Sequence, residues 1–274
     1  MLTQSQRDRL DVVLVSPRNP LNIGAAARAM ANFGFARLTV VAPYQAHWQE
    51  ARSAVGAADL LHHARECPTL ADALADFTLV VGTATVDRRK PEQPVVLLPD
   101  LAPLLRQELG RPGRVALVFG GEKRGLTRDD LSRCHLLAQI PTDPRQPSMN
   151  LGQAVAVFLY ELTTRFPAPA GCPPSPLKPS GLTGPAAQPS TLPGDVILLH
   201  SQPSAPSAHL DLLAETIDKV MATVHESPPA MQEPNRRALR LLLRRLQLSD
   251  ADARRTLRFF RRVLWRLEHD SRPN

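Results

Sequence analysis

The feature that most constrains the fold is the stretch from 116 to 162, in which apolar runs alternate with loops and helical segments. The run Val115–Phe119 ends at a glycine-rich loop, and the run Leu136–Ile140 ends at a proline-rich loop. Short apolar runs bounded in this way are typical of buried strands. Between them, Thr127 followed by Asp130 predicts the start of a helix. We therefore expect an α/β unit at this position.

The two loops of this stretch predict a ligand site. Glycines at 120, 121 and 125 allow backbone conformations that other residues avoid. Ser148 or Asn150 is expected to cap the helix that follows the second loop. In open α/β sheets, ligands bind beyond the carboxyl ends of the strands. The loops carry neither paired histidines nor a cysteine pair, so we expect no metal site here.

An N-terminal strand and helix repeat the same pattern. Val12–Val15 predicts the first strand, and Asn22 is expected to cap a helix made almost entirely of small residues. Arg28 is the single charge among the alanines of that helix. An ordinary surface arginine is the simpler interpretation. A cation on a small-residue helix is also how an enzyme places charge near a phosphate or a ribose.

The elements between these two regions complete an alternating pattern. Strands are predicted at Leu38–Val41 and Thr78–Val81, and helices at 51–64, 70–74 and 100–109, with Thr69 as the cap of the second helix. Strands that alternate with helices favour a mostly parallel sheet covered on both faces.

A change in composition divides the chain. Residues 167–207 hold eleven of the 27 prolines, which is typical of a semi-rigid linker. We predict an α/β domain at 1–166, this linker, and a small all-α domain at 208–274.

Positive charge is concentrated at the end of the chain. The net charge is +7, whereas residues 235–274 alone hold 12 arginines against 4 acidic residues. We expect these arginines on the solvent faces of two amphipathic helices. Like charges on one face repel each other unless a partner neutralises them, and RNA phosphate is the obvious partner. The aromatic residues there are expected to pack rather than to stack on bases. The arginines are Arg237, Arg240, Arg244, Arg254, Arg258 and Arg262, and the aromatics are Phe259, Phe260 and Trp265.

Cysteines and hydropathy indicate the compartment. Cys67, Cys134 and Cys172 are isolated, which favours a reducing cytoplasm over a disulfide framework or a zinc site. The N-terminus does not resemble a signal or transit peptide. No apolar run approaches the ~20 residues that cross a bilayer. We therefore expect a cytoplasmic protein with no membrane partner.

Three groups of residues together resemble a known family. They are G-x-E-x-x-G-L at Gly120–Leu126, I-P at Ile140 followed by P-S-x-N-L at Pro147–Leu151, and the N-terminal set Asn22, Gly24 and Arg28. In order and spacing, this pattern resembles the TrmH family of SPOUT RNA 2′-O-methyltransferases over about the first 165 residues. The resemblance implies a trefoil-knotted α/β fold, S-adenosylmethionine as cofactor, an RNA substrate and a homodimer.

The resemblance also implies roles for individual residues. Arg28, Ser148 and Asn150 would be catalytic, with Arg28 orienting the ribose and acting, in a homodimer, on the cofactor of the other subunit. Asn22, Arg88, Glu122 and Arg124 would bind substrate. The cofactor would be held by Thr83, Ala84, Thr85, Gly120, Ile140, Pro147, Ser148, Met149 and Leu151.

Two positions depart from the family pattern. Gly121 stands where the family often has arginine, and Arg124 is a candidate to compensate. Val86 stands where the family usually has arginine, and Arg88, within the basic segment at 87–90, is the candidate to replace it. As a general rule, such a charge run is more often a solvated loop than a phosphate contact.

The reaction implied is methyl transfer to a ribose 2′-hydroxyl, with position 32 of a tRNA anticodon loop as the leading candidate for the methylated nucleotide. The site loops contain no obvious base of suitable pKa, and Glu122 is at least as well explained by a structural role. The alternatives are a ribosomal RNA methyltransferase and a non-catalytic RNA-binding factor. A P-loop nucleotide enzyme is not supported, because Leu126 stands where that motif requires lysine.

Overall fold

The structure is a computed structural model that describes residues 2–85, 91–165, 203–224, 226 and 229–270. Within those residues seven strands form one sheet, in the order β3-β2-β1-β6-β4-β7-β5, and every neighbouring pair is parallel. The strands are β1 Leu10–Val15, β2 Leu38–Val41, β3 Arg65–Cys67, β4 Leu79–Thr83, β5 Val95–Leu97, β6 Val115–Gly120 and β7 Leu136–Gln139.

Helices cover both faces of this sheet and continue into a C-terminal helical unit. In chain order the helices are α1 Gln4–Arg7, α2 Pro20–Asn32, α3 Ala58–His62, α4 Leu70–Leu74, α5 Leu98–Leu109, α6 Arg128–Ser132, α7 Leu151–Arg165, α8 Ser207–Thr223, α9 Gln232–Arg245 and α10 Asp250–Asp270. Short 3-10 turns lie at Trp48–Glu50 and Pro229–Met231. This arrangement confirms the predicted α/β class with a helical C-terminal region. The trefoil knot stays a prediction.

The central strands are apolar throughout because both of their faces are buried. On β1, Val12 and Leu14 face a core layer shared with α2, α5 and α7, while Val13 and Val15 face a second layer shared with α4 and α6. All six residues of β1 are buried, Asp11 included. This period-two division is what a two-sided parallel sheet requires.

The strand order decides where a ligand can bind. Because β1, β6, β4 and β7 are adjacent and parallel, the loops that follow them emerge at one edge of the sheet. The glycine-rich loop follows β6, and the proline-rich loop follows β7. Two segments that are separated in sequence by α6 and β7 therefore meet at the carboxyl edge.

Most element predictions hold, and one helix does not. Strand β2 and the Thr69-capped helix α4 have the predicted bounds, with the Thr69 hydroxyl accepting the N–H of Asp72 at 3.2 Å. The predicted helix at 51–64 is wrong, since α3 occupies only Ala58–His62. Gly56 has a φ of +76°, which a continuous right-handed helix cannot include.

The C-terminal helices have their own core, in which Leu213, Leu243 and Leu257 meet. The unit is also attached to the α/β part where α8 begins. Both the N–H and the hydroxyl of Ser207 donate to the carbonyl of Phe77, each at 2.9 Å. The predicted domain boundaries stay predictions, and residues 167–202 of the predicted linker lie outside the described residues.

None of the helices in the described ranges combines the length and the apolar character that crossing a bilayer would demand.

Candidate functional site

A cavity of about 640 Å³ opens at the carboxyl edge of the sheet, where the loops after β4, β6 and β7 meet. Its floor is apolar and includes Phe119 and Phe158, whose rings meet edge to face with centroids 5.2 Å apart. All nine residues expected to hold a cofactor line this cavity: Thr83, Ala84, Thr85, Gly120, Ile140, Pro147, Ser148, Met149 and Leu151. The structure thus brings together residues from three loops that are far apart in sequence.

The glycine-rich loop closes tightly upon itself. A Cβ atom at Gly120 would lie 2.1 Å from the carbonyl carbon of Gly125 and 2.2 Å from the amide nitrogen of Leu126. Gly125 has a φ of +63°, and its N–H donates to the carbonyl of Gly121 at 2.9 Å. Glycine is therefore required at 120 for space and favoured at 125 for conformation. The wall of the cavity at this point is backbone.

Hydroxyl groups hold the loop after β7 in place. The carbonyl of Pro147 accepts the hydroxyl of Thr142 at 3.1 Å and that of Thr85 at 3.3 Å. Thr85 follows β4, so this carbonyl joins two of the three loops that form the cavity. Asp143 accepts the N–H of Arg145 at 2.8 Å and stabilises the turn between them. These hydrogen bonds give the proline-rich loop after β7 a defined conformation, so the loop forms a fixed wall of the cavity.

A hydrogen-bond chain connects the N-terminal helix to both loops. Asn22 donates to Glu122 Oε1 at 2.7 Å, and its own Oδ1 accepts the side-chain amide of Asn150 at 2.9 Å. Asn150 Oδ1 in turn accepts the N–H groups of Gly152 and Gln153. Asn150 is thus the N-terminal cap of α7, one of the two candidates predicted. Each amide in this chain has one orientation that satisfies all of its bonds.

The predicted capping role of Asn22 is wrong. Helix α2 begins at Pro20, and its cap is Asn19, whose Oδ1 accepts the N–H of Leu21 at 3.0 Å. Asn22 lies inside the helix, where its side chain is free to bridge Glu122 and Asn150. The dipeptide Asn19-Pro20 was a signal for the correct start, since proline suits the first helical position.

Glu122 is bound from three directions. Its Oε2 accepts the N–H of Arg18 at 2.9 Å, and its Oε1 accepts the N–H of Asn19 at 3.1 Å in addition to Asn22. Burial acts to raise the pKa of Glu122. The hydrogen bonds from Asn22, Arg18 and Asn19 together outweigh it and lower this pKa below its ordinary value. Glu122 is therefore a stable carboxylate that ties the β1 loop to the β6 loop, and a poor proton acceptor.

Three basic residues line the cavity, Lys123, Arg124 and Arg145, and Arg145 is paired with Asp143 at 2.7 Å. The described lining residues include no histidine, cysteine or tyrosine, so no ordinary general base near neutral pKa is present among them. No cluster of three metal-ligating side chains occurs in the described ranges either. The site is one of backbone, small hydroxyls and cations.

Arg28 lies apart from this cavity. It is exposed on α2, is absent from the lining, and makes no hydrogen bond or ion pair within the described part of the chain. The structure of one chain therefore brings Ser148 and Asn150 together but leaves Arg28 elsewhere. Ser148 is exposed and likewise has no hydrogen bond to other described residues. Arg88 falls outside the described residues.

The arginines of α9 do not form the predicted solvent face. Arg240 is buried and donates to Asp129 at 2.6 Å, and Arg244, 2% exposed, donates to Asp211 at 2.9 Å and to the carbonyl of Arg133 at 2.8 Å. Burial lowers the pKa of Arg244, while the Asp211 carboxylate acts in the opposite sense. These side chains fasten α9 to α6 and α8, so they are not available to RNA.

Helix α10 shows the predicted exposure but not the predicted packing. Its arginines at 258, 261, 262 and 266 are exposed and have no carboxylate partner among the described residues. Phe260 packs on the C-terminal core as expected. Phe259 and Trp265 are 63% and 57% exposed, so the expectation that they serve packing is wrong for both. Of α9 and α10, the second therefore presents a basic and aromatic surface.

Comparison with known proteins identifies the class. A sequence model of the SpoU rRNA Methylase family matches residues 9–160, which is more than half of the chain. The chain therefore belongs to the SpoU methylase family. The matched region contains every strand of the sheet and the whole cavity lining.

Individual relatives narrow the comparison. The tRNA (cytidine/uridine/adenosine-2′-O-)-methyltransferase TrmJ of Pseudomonas aeruginosa is 42% identical over 167 residues, which are 61% of this chain and 65% of that protein. The chain thus matches just under two thirds of that relative's length. The uncharacterized tRNA/rRNA methyltransferase LasT of Escherichia coli is 39% identical over 164 residues, 59% of this chain and 71% of that protein.

A solved structure extends the likeness beyond the α/β part. TrmJ from Z. mobilis superposes with a TM-score of 0.71 at 28% identity, covering 94% of this chain and 98% of that one. Coverage of this extent includes the C-terminal helices. The SPOUT-type fold and its helical extension are therefore shared with a TrmJ protein.

Proposed function

We propose that this chain transfers a methyl group from S-adenosylmethionine to a ribose 2′-hydroxyl of tRNA, first of all at position 32 of the anticodon loop. The observation that carries the proposal is the cavity at the carboxyl edge, lined by all nine residues that the family resemblance assigns to the cofactor. The relative named TrmJ, at 42% identity, supports tRNA as the substrate.

The cavity fits the proposed cofactor in size and chemistry. About 640 Å³ suffices for a nucleoside with a short side chain, and the glycine-rich loop presents backbone to the cavity. The apolar floor at Phe119, Ile140 and Phe158 suits an adenine ring. When bound, S-adenosylmethionine supplies an electrophilic methyl group, a chemistry that requires no metal.

The chain's own groups would orient the nucleophile. The hydroxyl of Ser148 is exposed at the cavity with no partner among the described residues, and is the candidate to contact the ribose. Asn150 is committed to capping α7 and to Asn22, so its role is to position the Ser148 segment. Lys123 and Arg124 of the cavity lining would contact phosphates of the substrate. Proximity and orientation then supply much of the rate.

We further propose a homodimer in which Arg28 of one subunit serves the cavity of the other. Arg28 is exposed, has no ion pair within the described ranges and lies outside its own cavity, as such a role requires. Permanently charged, it would orient the ribose and stabilise the developing alkoxide rather than remove a proton. The cytoplasm is the proposed location, in keeping with the free thiols of Cys67 and Cys134.

Transfer of labelled methyl groups tests the proposal. The chain should methylate tRNA from S-adenosylmethionine, and Arg28→Ala should abolish transfer while cofactor binding by calorimetry persists. Mixing Arg28→Ala with Ser148→Ala, each of which should impair transfer in its own homodimer, should restore part of the activity through mixed dimers if Arg28 acts across subunits. Transfer to ribosomal RNA alone would favour the alternative substrate that the tRNA/rRNA name of LasT includes. If the chain neither transfers methyl groups nor binds the cofactor, a non-catalytic RNA-binding factor is favoured.

A further inference from the structure

An exposed aromatic ring and an arginine lie together just outside the cavity. Tyr44, in the loop after β2, is 71% exposed. The guanidinium carbon of Arg18, in the loop after β1, lies 4.8 Å from the centroid of that ring. The Arg18 guanidinium has no carboxylate partner among the described residues. Single exposed rings are common at protein surfaces, so what marks Tyr44 is the guanidinium over its ring and the backbone that holds it.

The backbone that presents this pair is strained on both sides. Ser16 and Ala42, which directly follow β1 and β2, have φ values of +47° and +43°, in the left-handed region that non-glycine residues avoid. The two loops are joined by hydrogen bonds, from Ser16 N–H to the Val41 carbonyl at 2.8 Å and from Tyr44 N–H to the Pro17 carbonyl at 3.1 Å. Such strain persists only where surrounding structure imposes it, and it clusters at functional sites.

The same pair is fixed to the cavity wall. Glu122, which lines the cavity, accepts the N–H of Arg18 at 2.9 Å. The carbonyl oxygen of Ser16 packs against Gly121 so closely that a Cβ atom there would lie 2.5 Å away. Any side chain at 121 would displace the loop that carries Arg18. The position of the pair is therefore set by the same residues that build the cavity.

We propose that Tyr44 and Arg18 form a stacking shelf for a nucleobase of the RNA, next to the nucleotide that is methylated. The inference rests on the proposed function and adds a substrate subsite to it. Arg18 covers one face of the Tyr44 ring, and the high exposure of the ring leaves another surface open to a base. Aromatic rings and guanidinium planes are the platforms on which unpaired RNA bases stack, and a free guanidinium also attracts the adjoining phosphate.

Steady-state kinetics with tRNA test the shelf. Tyr44→Ala should raise the KM for tRNA by about 5- to 150-fold, the range expected for losing one stacked base. Tyr44→Phe, which keeps the ring, should retain a tRNA KM close to that of the unsubstituted chain. The affinity for S-adenosylmethionine, measured by calorimetry, should not change in either variant. Gln45→Ala, an exposed neighbour, is the matched control.

Two outcomes would overturn the inference. One is an unchanged tRNA KM in Tyr44→Ala, and the other is an equal rise in Tyr44→Phe and Tyr44→Ala. If the unsubstituted chain transfers no methyl group, the proposed function fails separately. The shelf is then tested by direct tRNA binding of the same variants, where loss in Tyr44→Ala alone supports it and equal binding refutes it.

Discussion

Helices α9 and α10 carry five and six arginines within similar amphipathic patterns, yet the two helices use them differently. On α9, Arg240 and Arg244 point inward and meet carboxylates of α6 and α8. On α10, the arginines beyond Arg255 meet no carboxylate within the described ranges. Helix α9 thus uses arginines to pack against the rest of the chain, whereas α10 presents arginines to solvent.

This difference shows that arginine spacing alone does not identify an RNA-binding face. The carboxylates that pair with Arg240 and Arg244 are Asp129, 111 residues away in the chain, and Asp211, 33 residues away. Such charge pairing depends on tertiary structure. We therefore expect the RNA contact of the C-terminal helices on α10 rather than on α9.

The largest effect is expected at Arg244. Arg244→Met removes a 2% exposed cation and leaves the half-buried Asp211 paired with Arg133. The change should cost about 3 kcal/mol, because Asp211 loses one of its two cations and the carbonyl of Arg133 loses its side-chain donor. Urea unfolding should report this loss. Arg245→Met, one residue on and exposed, should stay within about 0.5 kcal/mol. Equal losses in the two variants would contradict the docking role of α9.

A second effect concerns the adjacent aromatics of α10. Phe260→Ala should cost roughly 2 kcal/mol, because its ring packs on the C-terminal core and is only partly buried. Phe259→Ala should cost less than about 1 kcal/mol, mainly the edge-to-face contact with Phe260. Thermal unfolding of the two variants measures the difference between their losses of stability. A greater loss at Phe259 would mean that this ring is covered in the folded protein.

A third effect is on RNA affinity rather than on stability. Replacing both Arg258 and Arg262 by glutamine should weaken tRNA binding about tenfold near physiological salt and reduce the salt slope by about two. Arg254→Gln is the control, because Asp250 already neutralises that side chain at 2.8 Å. Filter binding over a salt series provides the slopes. If the salt slope of tRNA binding does not change in the double variant, α10 is not part of the RNA-binding surface.

The smallest effect is expected at Glu122, where a carboxylate is held by amides rather than by arginines. Its folded pKa lies below the ordinary value of 4.5, so its contribution to stability is present above pH 4.5. That contribution is lost as the pH falls through the folded pKa. Glu122→Gln should therefore be less stable than the unsubstituted chain at neutral pH, by less than about 1 kcal/mol. The two unfolding midpoints should converge under acid. A constant gap down to pH 2 would contradict this account.

Local signals predicted much of the α/β part. The bounds of β2 and α4 follow from a four-residue apolar run and from the Thr69 cap, both of which are local features. The family resemblance assigns the nine cofactor residues to positions at or near strand ends, and the parallel topology gathers them around one cavity. The helix predicted at 51–64 failed because Gly56 adopts a left-handed conformation that composition does not reveal.

Long-range contacts set the limits of prediction. Nothing near Asn22 in sequence indicates that it bridges Glu122 and Asn150, each at least a hundred residues away. The supporting hydroxyl of Thr142 was missed for a similar reason, although it stands two residues after Ile140. Prediction succeeded where a residue's role depends on its own element and failed where it depends on what another element places beside it.

The most direct test of the account is nucleoside mass spectrometry of tRNA after reaction with the chain and S-adenosylmethionine. We expect one added methyl group on the ribose fragment of a nucleoside from the anticodon loop, and no added methyl group with Arg28→Ala. A methyl group on the base fragment would contradict the proposed chemistry, and unmodified tRNA together with unmodified ribosomal RNA would contradict the proposed activity itself.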